Sequence, residues 1–478
     1  MISLPKLLPA FTLLAFLGAC QAGPSAFDKP EDIGPEDTAD VATLPEVPRA
    51  VEVEVPAVDS TEEGAAPAPA PADTVPAVAS GEPLHFERPE HIRGIYLNAW
   101  ASGSTRRVDA LLELARRTEI NTFVLDIKDA TGYVSHRTQV PLAREIGATE
   151  EIRIRDLPAV LRKLHAAGVY PIARIVIVKD PLLAAARPDL AAQDKAGGIF
   201  KDGKGIIWLN PYNEGVWKYN VDLAREVVGM GFPEVQWDYV RFPDIPASDK
   251  ARVVYPGAGD KPMAEAIREL LEYSRAELQP LGATVTADVF GVTTSASRDV
   301  GIGQVWESFI GAVDVALPMV YPSHYWEGSF GRKTPNAFPY EIVRRALEDA
   351  LRRSATVEGA GATRPWLQDF TLGKPAYGAA EVRAQIQGTY DAGIQDWILW
   401  NPGSRYTEEA LEPVGGFTEE PLIRIANRVV PVSQRIAVLD SVARTRVLQS
   451  APAPTSSQAD TTKPTVPREV PPDTLGAR

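Results

Sequence analysis

Eight short runs rich in β-branched and aromatic residues recur between residues 93 and 401, and a chain built this way has few folds open to it. The runs are RGIYLNAW (93–100), NTFVLDIKD (121–129), YPIARIVIV (170–178), EVQWDYVRF (234–242), TVTADVFG (284–291), DVALPMVY (314–321), PWLQDF (365–370) and DWILWN (396–401). Segments with apolar residues at helical spacing fall between them, among them 104–117, 156–168 and 263–278. Gly168, Gly231, Gly282 and Gly393 each stand just before a run, where glycine supplies the left-handed cap that ends a helix. Parallel strands need helical crossovers, and eight such units predict a (β/α)8 TIM barrel over residues 86–430. A doubly wound open sheet is the rival architecture. It is weakened because no glycine-rich nucleotide loop follows the first run.

The ends of the chain obey other rules. Residues 1–19 have a lysine near the start, an apolar stretch and small residues, which reads as a secretory leader. Cys20 follows Leu17-Gly18-Ala19, a lipobox-like site at which the cysteine is lipidated, and Gln21 favours the outer membrane. Residues 20–85 read as a disordered linker. Positions 21–80 hold ten prolines and thirteen acids against two bases, so −11 of the chain's net charge of −14 belongs to the linker. Residues 431–478 read as a mostly disordered C-terminal tail. The expected location is the cell envelope, with the barrel anchored through Cys20. Nucleic acid is not an expected partner, and the oligomeric state is open.

Side chains alternate between the two faces of a strand. Tyr96, Asn98 and Trp100 oppose Ile95, Leu97 and Ala99; Asp126 and Lys128 oppose Phe123, Leu125 and Ile127; Arg174 opposes Ala173 and Ile175. Gln236 and Asp238 oppose Trp237, and Asp288 opposes Ala287 and Val289. With the apolar face against the helices, Asn98, Asp126, Lys128, Arg174, Asp238, Asp288 and Gln368 are expected to converge at the mouth. That end is where barrel enzymes keep their active sites. A buried structural ion network is the competing account, and it is a costly way to stabilise a barrel.

The five histidines form no metal-binding pair, and neither a serine nucleophile elbow nor a phosphate loop is present, so no metal or cofactor is expected. Carboxylate chemistry remains. Glycoside hydrolysis uses two carboxyl groups, one protonated and one ionised. Asp238 has Arg174 and Arg241 as candidate cationic partners, whereas Asp288 sits among apolar neighbours. This asymmetry assigns Asp238 as nucleophile or base and Asp288 as acid. Pro243 should end the fourth strand and let Arg241 fold back onto Asp238 or a substrate hydroxyl. Trp100, Trp326 and Trp400 fall at or past strand ends, where a ring can stack on a sugar.

The segments HIRGIYLNAWAS, NTFVLDIKDATG, WLNPYN, VQWDYVRFP, ADVFG and LPMVYPSHY resemble the bacterial "putative glycosyl hydrolase" domain-of-unknown-function family of TIM barrels, over roughly residues 91–405. The resemblance implies a glycoside-hydrolase-like barrel and carries over Asp126, Lys128, Asp238, Tyr239, Arg241, Asp288, Tyr321 and His324 as site residues. The expected function is hydrolysis of an envelope or extracellular polysaccharide. The alternative is a non-catalytic glycan-binding or scaffold lipoprotein on the same fold.

Overall fold

The computed structural model describes residues 84–450, with side chains to residue 445. The expected leader, Cys20, nearly all of the linker and residues 451–478 lie outside the described residues. All eight runs are strands: β1 (Arg93–Leu97), β2 (Thr122–Lys128), β3 (Tyr170–Val176), β4 (Glu234–Asp238), β5 (Thr284–Phe290), β6 (Val315–Met319), β7 (Trp366–Gln368) and β8 (Trp397–Trp400). Neighbours pair in parallel, β8 pairs back onto β1, and β7 joins β6 to β8. The ring is a closed (β/α)8 barrel.

The main crossover helices are α1 (Thr105–Arg117), α2 (Leu157–Ala166), α3 (Glu214–Gly229), α4 (Met263–Leu278), α5 (Pro339–Ser354) and α6 (Ala379–Asp391). Ser104, Asp156 and Asn213 start α1, α2 and α3 by accepting from the backbone N–H of Arg107, Ala159 and Gly215. The inner stripe of α1 buries Val108, Leu111, Leu112 and Leu114. The four cap glycines have φ of +67°, +113°, +81° and +96°, a region in which a Cβ costs roughly 1–2 kcal/mol.

The last unit departs from the repeat. After β8 a hairpin of β9 (Leu422–Ile425) and β10 (Arg428–Pro431) packs Ile423 and Ile425 with Tyr340 of α5 and Ala384 of α6. A helix, α7 (Arg435–Ser450), follows. The expected boundary at 430 therefore cuts β10, and within the tail expected to be mostly disordered residues 432–450 form a turn and a helix. Val438 and Leu439 pack against the hairpin cluster and give that helix an apolar anchor.

The outward strand face lies beneath the helices. Ile95, Phe123, Leu125, Ile175, Val235, Trp237 and Val285 are fully buried, each burial contributing about 1.5–3 kcal/mol. Trp237 donates its indole N–H to Ser274 Oγ of α4 at 3.1 Å. At the start of β4 and just before β7, Glu234 and Arg364 form a fully buried pair at 2.8 Å.

In β2 the register slips by one residue: Asp126 lies opposite Arg174, but Lys128 lies opposite Ile175. The bulge inverts the alternation beyond it. Lys128 consequently leaves the barrel interior and pairs with Asp180 at 2.7 Å, both side chains wholly buried, with its ammonium 5.4 Å from the Tyr219 ring of α3. This corrects the expectation that Lys128 lines the mouth beside Asp126.

Candidate active site

Arg174 of β3 is the hub of the barrel mouth. Its Nη1 donates to Asp126 on β2, and its Nε and Nη2 both donate to Asp238 Oδ2 on β4. The Nε atom is 3.1 Å from Asp238 Oδ2 and 3.9 Å from Asp288 Oδ2, which bounds those two oxygens at roughly 7 Å apart. Register explains the convergence. Arg174 is opposite Asp126, while Trp237 is opposite Ala287, so the following Asp238 and Asp288 reach the same level of the barrel.

The three carboxyl groups differ in their surroundings. Asp288 is 2% exposed, and burial first, then the Asp238 charge, holds its carboxyl well above the usual range. Trp366 Nε1 donates to its Oδ1 at 2.7 Å and Gln236 Nε2 to its Oδ2 at 3.0 Å. Burial pushes Asp126 up to about 6 against the opposing Arg174 charge, and the Tyr96 hydroxyl donates to its Oδ2 at 2.5 Å. Asp238 accepts from Arg174 and, at 2.5 Å, from the backbone N–H of Tyr239. Tyr239 has φ of +50°, a strained backbone for a non-glycine residue.

Aromatic rings fix the hub. Trp400 stacks on Tyr96 at 4.0 Å, and the Arg174 guanidinium lies 5.2 Å from the Trp400 ring and 5.5 Å from the Tyr96 ring. Tyr321 is buried, and burial first, then the charges of Asp288 and Asp238, raises its hydroxyl. It meets His324 edge-on at 5.2 Å. Burial pushes His324 down to about 4, so its ring is neutral near pH 7, and its Nδ1 is 3.0 Å from Ser323 Oγ.

The structure thus brings together Asp126, Arg174, Asp238 and Asp288, with Tyr239, Tyr321 and Trp400 around them. Other expected site residues stand elsewhere. β1 ends at Leu97, so Asn98 is a helix cap: its Oδ1 accepts from Ala101 N at 2.8 Å and its Nδ2 donates to Pro402 O at 2.9 Å. Trp100 is the second residue of that short helix, Ala99–Gly103, and is 62% exposed, not inward-facing, with the Arg153 guanidinium 5.5 Å from its ring. Gln368 points inward, but its amide clamps the β6 and β7 loops by accepting from Ser323 N and donating to Phe370 O. Trp326 is buried, which leaves no open ring face for stacking.

Arg241 does not pair with Asp238, whose cation is Arg174. Its Nη1 donates to Phe242 O at 3.0 Å, and its guanidinium lies 4.7, 4.8 and 5.3 Å from the rings of Phe290, Tyr239 and Trp208. The left-handed turn at Tyr239 ends the alternation and sends Arg241 off on another course. Tyr96, Gln236 and Trp366 were not among the expected site residues. Their signal was present, since Tyr96 and Gln236 alternate onto the inner face and Trp366 is two residues from Gln368.

A family model described as "Putative glycosyl hydrolase domain" matches residues 94–406. No match was found among curated proteins. Among solved structures, the chain is similar to a hypothetical protein from Ruminiclostridium thermocellum ATCC 27405, with 38% identity over 41% of this chain and 97% of that one and a TM-score of 0.38. It is also similar to the PgaB (BpsB) glycoside hydrolase domain from Bordetella bronchiseptica, at 13% identity over 66% and 95% with a TM-score of 0.48. A third is the hyperthermostable endo-1,4-beta-D-mannanase from Thermotoga petrophila RKU-1, at 13% identity over 65% and 88% with a TM-score of 0.43.

Proposed function

The chain belongs to the family described as "Putative glycosyl hydrolase domain", and we propose that it hydrolyses glycosidic bonds with Asp288 as general acid and Asp238 as the facing carboxylate. The observation that carries this is the asymmetry of two carboxyl groups brought to one guanidinium. Asp288 is buried, and its proton is held by burial and by the neighbouring negative charge. Asp238 accepts three N–H donors, two from Arg174 and one from Tyr239, an environment suited to an anion.

Retaining enzymes space their carboxyl groups about 5–5.5 Å apart and inverting ones about 6.5–9.5 Å. The bound of roughly 7 Å spans the first range and only the edge of the second. In the retaining course, Asp238 attacks the anomeric carbon while Asp288 gives its proton to the leaving oxygen. The Asp288 carboxylate then takes a proton from the water that cleaves the glycosyl ester. Trp100 is the exposed aromatic on the mouth side and offers a face to a sugar ring beyond the cut. The substrate class we favour is an envelope or extracellular polysaccharide, reached by a barrel tethered through lipidated Cys20.

The test is product release from a polysaccharide panel by wild type, Asp238→Asn and Asp288→Asn. Each variant is expected to lose at least about a hundredfold in rate, the scale of a missing acid–base group, while still binding glycan. Undiminished turnover in both variants would overturn the assignment. The burial of Asp288 favours one second reading, a non-catalytic glycan-binding scaffold. A wild-type protein that binds glycans and cleaves none would establish it.

A further inference from the structure

The proposed chemistry makes no use of Arg241, although this guanidinium is 7% exposed and stands three residues past Asp238. It also contacts the ring of Phe290, two residues past Asp288. Arg241 forms one wall of a cavity of about 130 Å³ between the segments after β3 and β4, which Asp202, Lys204, Trp208, Asp244 and Asp249 also line.

The other charges of that wall are engaged. Asp202 accepts from the N–H groups of Lys204 and Ile206, each at 2.9 Å, and from Trp208 Nε1 at 3.1 Å. Asp249 accepts from Gly203 N at 2.7 Å and from Arg252 Nη1 at 3.1 Å. Lys204 and Asp244 each have a partner. Arg241 differs. Three aromatic rings lie around its guanidinium, one N–H goes to Phe242 O, and no carboxylate among the described residues forms an ion pair with it. Ring faces offset part of the cost of burying a cation. The guanidinium lines the cavity without the carboxylate partner that would complete a buried ion pair. A guanidinium edge matches a carboxylate through two parallel hydrogen bonds.

We propose that this cavity is a subsite for a uronic acid residue, whose carboxylate pairs with Arg241, so that the polysaccharide recognised is acidic. The proposal rests on the hydrolase reading for the position of the subsite beside the cut. Recognition itself needs no turnover.

The probes are oligogalacturonate, its methyl ester and a neutral galacto-oligosaccharide of the same length, titrated calorimetrically into the full protein at low salt. Free oligogalacturonate should bind at least about tenfold more tightly than either neutral probe, a difference of one decade in Kd. Arg241→Gln should erase that preference, while Arg241→Lys should keep part of it. Equal binding of the free acid and its methyl ester by wild type would overturn the proposal without recourse to any variant. So would a preference that survives in folded Arg241→Gln. Uronate preference without hydrolysis would remove the enzymatic reading and leave the subsite. Hydrolysis of neutral polymers with no uronate preference would do the reverse.

Discussion

Trp366 of β7 donates its indole N–H to Oδ1 of Asp288 on β5 at 2.7 Å. The bond favours the ionised carboxylate and opposes the burial that raises Asp288. Trp366→Phe keeps an aromatic ring and removes the donor. Asp288 should then retain its proton to higher pH, so the basic limb of the kcat/KM–pH profile should move upward. A limb that stays fixed in a folded, active variant would remove Asp288 from the role of general acid.

Arg174 is the cation shared by Asp126 and Asp238. Arg174→Met leaves buried carboxylates without it, and breaking such a pair costs about 3–5 kcal/mol. Urea denaturation of the variant should show a loss of that order. Adding Asp126→Asn should restore part of it. A double variant no more stable than the single one would mean that Asp126 does not draw on Arg174.

Asp369 holds the segment after β8 by accepting from Thr407 N at 2.8 Å and Thr407 Oγ1 at 2.7 Å. Burial pushes its carboxyl up to about 6, against about 3.9 in an unfolded chain. The native state therefore binds this proton more tightly. The stability it contributes is full below about pH 4 and is lost as pH rises through about 6. Between pH 7 and pH 5 wild type should gain more Tm than Asp369→Asn does. Thermal melts across that window decide it, and parallel curves for the two proteins would contradict the expectation.

The anchoring proposal has its own check. Cys20→Ser removes the sulfur that would carry the acyl chain, and with it the membrane affinity. Fractionation of cells should move the variant from membrane to soluble fractions. A Cys20→Ser protein that survives carbonate washing in the membrane pellet would refute lipid attachment.

The barrel was readable because one face of every strand must satisfy the helices. That requirement wrote Phe123, Leu125, Ile175, Val235 and Trp237 into alternation, and it left Asp126, Arg174, Asp238 and Asp288 as interruptions on the other face. Lys128 and Asn98 share a cause: alternation was carried past the point where the backbone stopped alternating. A one-residue bulge reversed Lys128 and the end of β1 at Leu97 turned Asn98 into a cap, while β4 ended at Asp238 and the left-handed Tyr239, ahead of Pro243, redirected Arg241. None of these has a local marker such as glycine or proline at the decisive residue. Asp238 also had two arginines to choose from, and the nearer in sequence was the wrong one, because the choice is made by strand spacing across the barrel. Trp366 was missed because a tryptophan in a strand reads as packing, and the acceptor of its N–H lies 78 residues away.

The join between β6 and β7 is made in two pieces. Ala362 and Thr363 pair with Val315 and Ala316, and Trp366 pairs with Met319. The same offset sets Pro365 against Pro318 in the gap, and neither has an amide hydrogen to give. The staves of this cask are thus nailed least firmly along one line, and amide exchange should find its fastest barrel-wall positions there. Trp366 sits on that line with its indole on Asp288. Breathing of the wall there would loosen the bond that Trp366 gives Asp288, so stiffening the seam should slow amide exchange and hold the proposed acid more firmly.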